Sequence, residues 1–354
     1  MKRAVRGLLV ASLGSLAGAP HPAVARASGH RPVPVLCYVE TLYGGVPASA
    51  LDLAACTHLI EAFLIPDVAG ALRPTNGLPR EVLLRAARER GCRVLVAVGG
   101  ATVPGATFVA LLAHAEARAR FLSELVHFVL EAGYDGVDLD WEFPGAPERE
   151  LHARLVRDLR SRLEAAFASG RPGVKPLVLV GVTTGAFLEG YDFPALAKAA
   201  DYLVQFGYDF RNPALGPWAH TAKLWPDGSD RPIEASVRGV ASELVRRGVP
   251  RAQVIIGFPM YASDGQPWIS VRERTLRLAP PTHPLYLENE LDGIWVTGPA
   301  ALEAKVRKAI AGSEVEGGAV GGIALWQLGH QGRFTDLTDA LRRALDAVPP
   351  KSPR

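Results

Sequence analysis

The sequence is poor in cysteine, carries little surplus charge and has almost no long apolar runs. Three cysteines, Cys37, Cys56 and Cys92, allow one internal bridge and leave one thiol over. There is no Cys-x-x-Cys pair and no Cys/His cluster, so the ligand set of a structural zinc site is missing. No metal or organic cofactor is expected. The 354 residues hold 39 basic and 36 acidic side chains, a net charge of +3. Four of the basic residues, Lys2, Arg3, Arg6 and Arg26, fall within residues 1–27, which contain no Asp or Glu; the remainder carries 35 basic against 36 acidic groups. That balance excludes the electrostatic footprint of a nucleic-acid-binding protein. Glycine (36) and proline (28) point to many loops but stay below the roughly 25–30% of a low-complexity chain. No Ser/Thr/Pro-rich linker or repeated module marks a second domain.

The one long apolar run is Gly7–Ala19, 13 residues between the basic Met1–Arg6 and the small-residue pattern Ala25-Arg26-Ala27. A membrane-spanning helix needs about 20 apolar residues. Residues 1–27 therefore read as a secretory signal peptide cleaved before Ser28, and 28–354 as a single exported domain with no membrane attachment.

Eight short β-rich runs recur along that domain: Pro34–Glu40, Thr57–Leu64, Arg93–Val98, Gly136–Glu142, Leu177–Thr183, Tyr202–Tyr208, Val254–Pro259 and Gly322–Gln327. Most are near-continuous Val, Leu and Ile, the pattern of strands buried on both faces. Amphipathic helical patterns lie between them, clearest at Leu83–Arg90, Ala115–Glu131, Glu148–Ala168, Val237–Arg247, Ala301–Ile310 and Leu337–Leu345. Eight strand–helix units predict an α/β fold, the (β/α)₈ TIM barrel. The long interval between the seventh and eighth runs predicts a small insertion at about 262–296, with β-like stretches beginning at Trp268, Leu276 and Leu285.

The most informative segment is Asp135-Gly136-Val137-Asp138-Leu139-Asp140-Trp141-Glu142. On a strand, Asp138, Asp140 and Glu142 share one face and Val137, Leu139 and Trp141 the other. The apolar set belongs against the helices, so the acids line the barrel interior. Three carboxylates there cannot all be ionised cheaply, and at least one pKa is expected to rise. Glu142 comes last, at the carboxyl end of the strand where barrel active sites open, placed to donate a proton to a leaving-group oxygen.

Asp135-x-x-Asp138-x-Asp140-x-Glu142 resembles the hallmark of the family 18 glycoside hydrolases, the chitinase-like enzymes. Other pieces are similar to that family in order along the chain: Cys37-Tyr38, Cys56-Thr57-His58-Leu59-Ile60, Val98-Gly99-Gly100, Tyr208-Asp209-Phe210, Gly257-Phe258-Pro259-Met260-Tyr261 and Gly322-Ile323-Ala324-Leu325-Trp326. The resemblance implies a secreted, retaining hydrolase of β-1,4-linked N-acetylglucosamine polymers, chitin or its oligosaccharides, acting as a monomer on a polysaccharide partner. Endo-acting cleavage of N-glycans or peptidoglycan, or carbohydrate binding without catalysis, are the alternatives. It assigns Glu142 as the acid, Asp140 as the group that orients the substrate's acetamido nucleophile, Asp138 as its proton-sharing partner and Tyr208 as the donor to the acetamido oxygen. Asp209, Trp326, Tyr38, Phe63 and Tyr261 are the expected substrate-binding residues, and Asp135 is structural. Trp218, Trp225, Trp268 and Trp295 are weaker sugar-platform candidates, while His220 and His330 read as ordinary surface or loop histidines.

The chain departs from the family in three places. Ala97 stands where the family usually has Ser, Phe206-Gly207 where it has Met-Thr, and Ala262-Ser263 where it has Gly-Arg. Ala97 removes a hydroxyl expected to bond the aspartate pair. Glu61, alternating with Phe63, is expected to face the interior and replace that contact. Family chitinases bridge the cysteines matching Cys37 and Cys56; Cys92, just ahead of the third run, could instead reach Cys56.

Overall fold

A computed structural model describes residues 33–40, 47–183, 185–208, 237–263, 290–291, 294–296, 298–311, 319–331 and 335–347. Eight parallel strands close into a barrel: β1 (Val35–Val39), β2 (His58–Pro66), β3 (Arg93–Gly99), β4 (Gly136–Asp140), β5 (Leu177–Val182), β6 (Tyr202–Gln205), β7 (Val254–Pro259) and β8 (Gly322–Trp326). Each pairs with its neighbour in sequence, and β8 pairs with β1, so the sheet has no open edge in its central ring. A short strand, Leu72–Pro74, folds back antiparallel on the end of β2.

Side-chain alternation splits the core into two layers. Val35, Cys37, Val39, Leu59, Val94, Val96, Val137, Leu139 and Trp141 belong to the outer layer under the helices. Leu36, Tyr38, Ile60, Ala62, Leu95, Ala97, Leu179, Val204, Ile255 and Ala324 fill the barrel itself. This is a packed interior with its mouth at the carboxyl ends of the strands.

The six predicted helices are all present, at Glu81–Glu89, Ala115–Glu131, Arg149–Gly170, Val237–Arg246, Pro299–Ala311 and Asp336–Asp346. Two more were not legible as periodic patterns. Gly105–Ala113 is apolar on nearly every side, and Phe193–Ala199 is only 7 residues long. The insertion between β7 and β8 contributes a three-stranded antiparallel sheet of Ala262–Ser263, Ile294–Val296 and Glu290–Leu291. The β-like stretches expected from Trp268, Leu276 and Leu285 lie outside the described residues, as do residues 1–27.

Cys37 and Cys56 form a disulfide that ties β1 to the start of β2. Cys92 keeps a buried thiol whose Sγ donates to the Cys56 carbonyl at 3.1 Å.

Glu61 does not face the interior. Its parity is that of Leu59, and it lies fully buried in the outer layer. There its carboxylate accepts from the Tyr134 hydroxyl at 2.5 Å, from the Arg80 guanidinium at 3.2 Å and from the Arg80 backbone N–H. Arg80 also donates to the carbonyls of Val39 and Glu40, so the ion pair anchors the carboxyl end of β1. Alternation with Phe63 misleads because the pairing of β2 with β3 shifts register between Glu61 and Leu64. One extra residue there turns both Ala62 and Phe63 inward and leaves Glu61 outside. Glu61→Gln is expected to lower the unfolding free energy by about 1–3 kcal/mol, read from urea denaturation, because a buried charge-assisted network loses its anion. It should leave the titration of the interior aspartates unmoved; a shift there would return Glu61 to the barrel.

Candidate active site

The carboxyl end of β4 carries the acidic row. Asp138 and Asp140 are 1% and 4% exposed, while Glu142, just past the strand, is half-buried. The row therefore climbs from the packed interior to the barrel mouth. Asp138 sits beside Ala97 of β3 and Leu179 of β5, both interior and both without a polar atom on the side chain. Its hydrogen-bond donor is the Tyr38 hydroxyl, 2.8 Å from Oδ2. Oδ1 of Asp138 and Oδ1 of Asp140 have no hydrogen-bond partner among the described residues. Ala97 thus faces Asp138 as expected, and Tyr38 rather than Glu61 supplies the contact.

Electrostatics follow from this burial. Loss of hydration raises the Asp138 pKa, partly offset by the Tyr38 hydrogen bond. Asp140 is raised well above the ordinary carboxylate range by burial first, then by the charges of Glu142 and Asp138. The Tyr38 hydroxyl is itself pushed up by burial and by the two aspartates, so it stays a donor.

Close backbone approach holds β4 in place. Gly99 and Gly100 end β3 with φ of +111° and +86°. A Cβ on Gly99 would stand 2.1 Å from the Asp140 carbonyl, and one on Gly100 2.7 Å from the Phe63 ring. The Gly100 N–H donates to that same Asp140 carbonyl at 2.8 Å. Glycine is required here both for the backbone angle and for the space.

Aromatic rings line two sides of the mouth. On one, Trp326 at the end of β8 packs on Tyr38 and Phe63, with ring centroids 5.5 and 5.7 Å away. On the other, Phe206 stacks on Tyr208 at 5.7 Å and meets Phe143 at 6.2 Å, and Tyr208 meets Tyr261 edge-on at 6.2 Å. The structure thus gathers Asp138, Asp140, Glu142, Tyr38, Phe63, Tyr208, Tyr261 and Trp326 at one end of the barrel. Asp209, His220, Trp218, Trp225 and Trp268 lie outside the described residues, as does the side chain of Trp295. His330 is no surface histidine: it is 8% exposed, packs edge-on against Tyr261 at 5.6 Å, and burial lowers its pKa to about 3. The sequence offers no signal for Phe143 in the site and marks Phe206 only as a departure from the family, although Phe206 alternates with the interior Val204.

The model of the glycosyl hydrolases family 18 matches residues 34–283. The chain belongs to glycoside hydrolase family 18. An endochitinase of Brugia malayi is 28% identical over 226 residues, which is 58% of this chain and 44% of that protein. The mouse chitotriosidase-1 is 28% identical over 222 residues, 60% of this chain and 48% of its own length. The chain spans about half the length of these curated relatives. Among solved structures, the Group IV chitinase of Ostrinia furnacalis bound to allosamidin shares the fold at a TM-score of 0.72 and 21% identity, covering 88% of this chain and 98% of the other. The family model thus spans β1–β7, and the solved chitinase shares the fold of the closed barrel. No helix among the described residues is long and apolar enough to cross a membrane.

The acidic pair makes a pH-dependent contribution to stability. Both aspartates have folded pKa values above their unfolded ones, so they favour the fold fully below about pH 4, and this is lost as pH rises through the folded values. Asp140→Asn should match wild type near pH 4 and exceed it at pH 8 by at least about 1.4 kcal/mol, the equivalent of one pKa unit. Urea midpoints across that range measure the difference; parallel curves would contradict the charge burial.

Proposed function

We propose that the protein is a secreted, retaining glycoside hydrolase of β-1,4-linked N-acetylglucosamine polymers, most simply chitin and its oligosaccharides. The observation that carries this is the graded acidic row. Two buried aspartates with raised pKa values stand beneath one carboxyl group, Glu142, that reaches the mouth. The family's membership adds the substrate class, as does the allosamidin-bound chitinase of the same fold.

Glu142 in its protonated form gives its proton to the glycosidic oxygen, and the bond from that oxygen to the anomeric carbon breaks. The carbonyl oxygen of the substrate's own 2-acetamido group forms the new bond, giving a cyclic oxazolinium ion. Family 18 is among the exceptions to the two-carboxylate scheme, and the protein supplies no nucleophile. Asp140 orients the acetamido N–H and offsets the developing positive charge, while Asp138, held by Tyr38, shares its proton with Asp140. Tyr208 donates to the acetamido oxygen, Asp209 holds the sugar, and Trp326 stacks on its face with Phe63 and Tyr261 beside it. Glu142, now ionised, takes a proton from water as that water opens the ring, and the anomeric configuration is retained.

Export is supported by the basic–apolar–small pattern of residues 1–27 and by the Cys37–Cys56 bridge, which needs an oxidising compartment to persist. A binding-only reading has a relative behind it: human YKL-39, described as a pseudo-chitinase with retained chitooligosaccharide binding, shares the fold at a TM-score of 0.71 and 17% identity. The presence of Glu142 at the head of the row favours hydrolysis.

Wild type is expected to release fluorophore from chitobiose and chitotriose conjugates. Glu142→Gln should reduce kcat by about 10²–10⁴-fold, the worth of a general acid, with oligosaccharide binding kept. Tight binding by a wild type that turns nothing over would make the protein a lectin.

A further inference from the structure

Phe206 follows β6 with the same inward parity as Val204, and its ring meets Tyr208, Phe143 and the space above Gly181. Its ring reaches over Gly181 of β5, whose backbone pairs with Val204. A Cβ built on Gly181 would lie 2.8 Å from the Phe206 Cζ and 2.8 Å from the Asp140 Oδ1. No side chain fits there, so ring and carboxylate oxygen close on the same small space. The other flank is similar: a Cβ on Gly257 of β7 would stand 3.1 Å from the Tyr208 Cε1 and 3.0 Å from the Gln205 carbonyl. Two glycines on the flanking strands make room for the aromatic pair at the end of β6. Within that pair, Phe206 lies near-parallel to Tyr208 at 27° and tilts against Phe143 at 59°.

An N-acyl group held at its N–H by Asp140 and at its oxygen by Tyr208 lies beside the ring that stacks on Tyr208 and shares the space over Gly181 with the Asp140 carboxylate, and that ring is Phe206. We propose that Phe206 limits the size of the N-acyl group the site accepts, admitting acetyl and rejecting longer chains, with Gly181 as the space this requires; the proposal rests on reading the site as one for N-acetylated sugars. Tyr208 and Phe143 both pack on the ring and hinder its displacement. A glycine at 181 cannot give way further, so an extra methylene on the ligand has no room to displace the ring.

The test is calorimetric binding of tri-N-acetyl and tri-N-propionyl chitotriose to the full chain carrying Glu142→Gln, so that the ligands stay intact. The N-acetyl ligand should bind about 10–200-fold more tightly, the usual worth of one methylene in a fitted pocket. Adding Phe206→Leu should bring the two within about threefold of each other, well below that range. Adding Gly181→Ala should weaken N-acetyl binding by about tenfold with Phe206 in place, and less beside Phe206→Leu, because the shorter side chain relieves the ring's share of the clash and leaves that with Asp140. An acetyl-to-propionyl ratio that Phe206→Leu leaves unchanged overturns the proposal, as does a Gly181→Ala cost equal in both backgrounds. If Gly181→Ala fails to fold, the Phe206→Leu ratio decides alone. Acyl-selective binding by a wild type without turnover supports the proposal and removes only the hydrolase. Binding of neither ligand overturns both this proposal and the N-acetylated-sugar reading.

Discussion

Two carboxylates on one buried strand face, one of them held by the Tyr38 hydroxyl, are the constraint around which this barrel mouth is built. Asp138 and Asp140 cannot turn away, because the alternation that points them inward also places Val137, Leu139 and Trp141 in the outer core. Reversing the strand would expose acids to the helices and bury nothing in exchange. The aspartates therefore stay, and their charge is suppressed by raised pKa values. Tyr38 is committed to Asp138 for the same reason: a buried carboxylate with no donor costs more than an orphaned tyrosine.

Neighbouring strands accommodate this row by giving up side chains. Gly99 lets β3 approach the Asp140 carbonyl, and Gly181 leaves space for the Asp140 carboxylate and the Phe206 ring together. Ala97 beside Asp138 offers volume without a hydroxyl. The result is a buried floor under a half-buried Glu142. Such a floor allows a proton to be held at a pH where an exposed carboxyl group has already lost its own.

Much of this was legible because barrels translate strand parity directly into inside and outside. The spacing Asp138, Asp140, Glu142 predicted the row, and the order of eight apolar runs predicted the ring. Glu61 was misread for a local reason: the register shift between Glu61 and Leu64 breaks the parity that Phe63 seemed to set. Burial of His330 depends on Tyr261, which approaches it only once β7 and β8 pair. The helix Gly105–Ala113 has no polar face to reveal its period. The Gly181–Phe206 fit joins residues on two strands, and one sequence does not reveal which glycine clears space for which ring. That helix apart, the missing information was a contact between segments distant in sequence.

Carboxyl carbon NMR of protein labelled at aspartate, with Asp138→Asn and Asp140→Asn used to assign the two resonances, measures the central claim directly. At least one of the pair should remain protonated at pH 6, titrating as a coupled pair well above the ordinary carboxylate range. Two aspartates both fully ionised by about pH 5, within the usual spread for exposed carboxylates, would contradict the account.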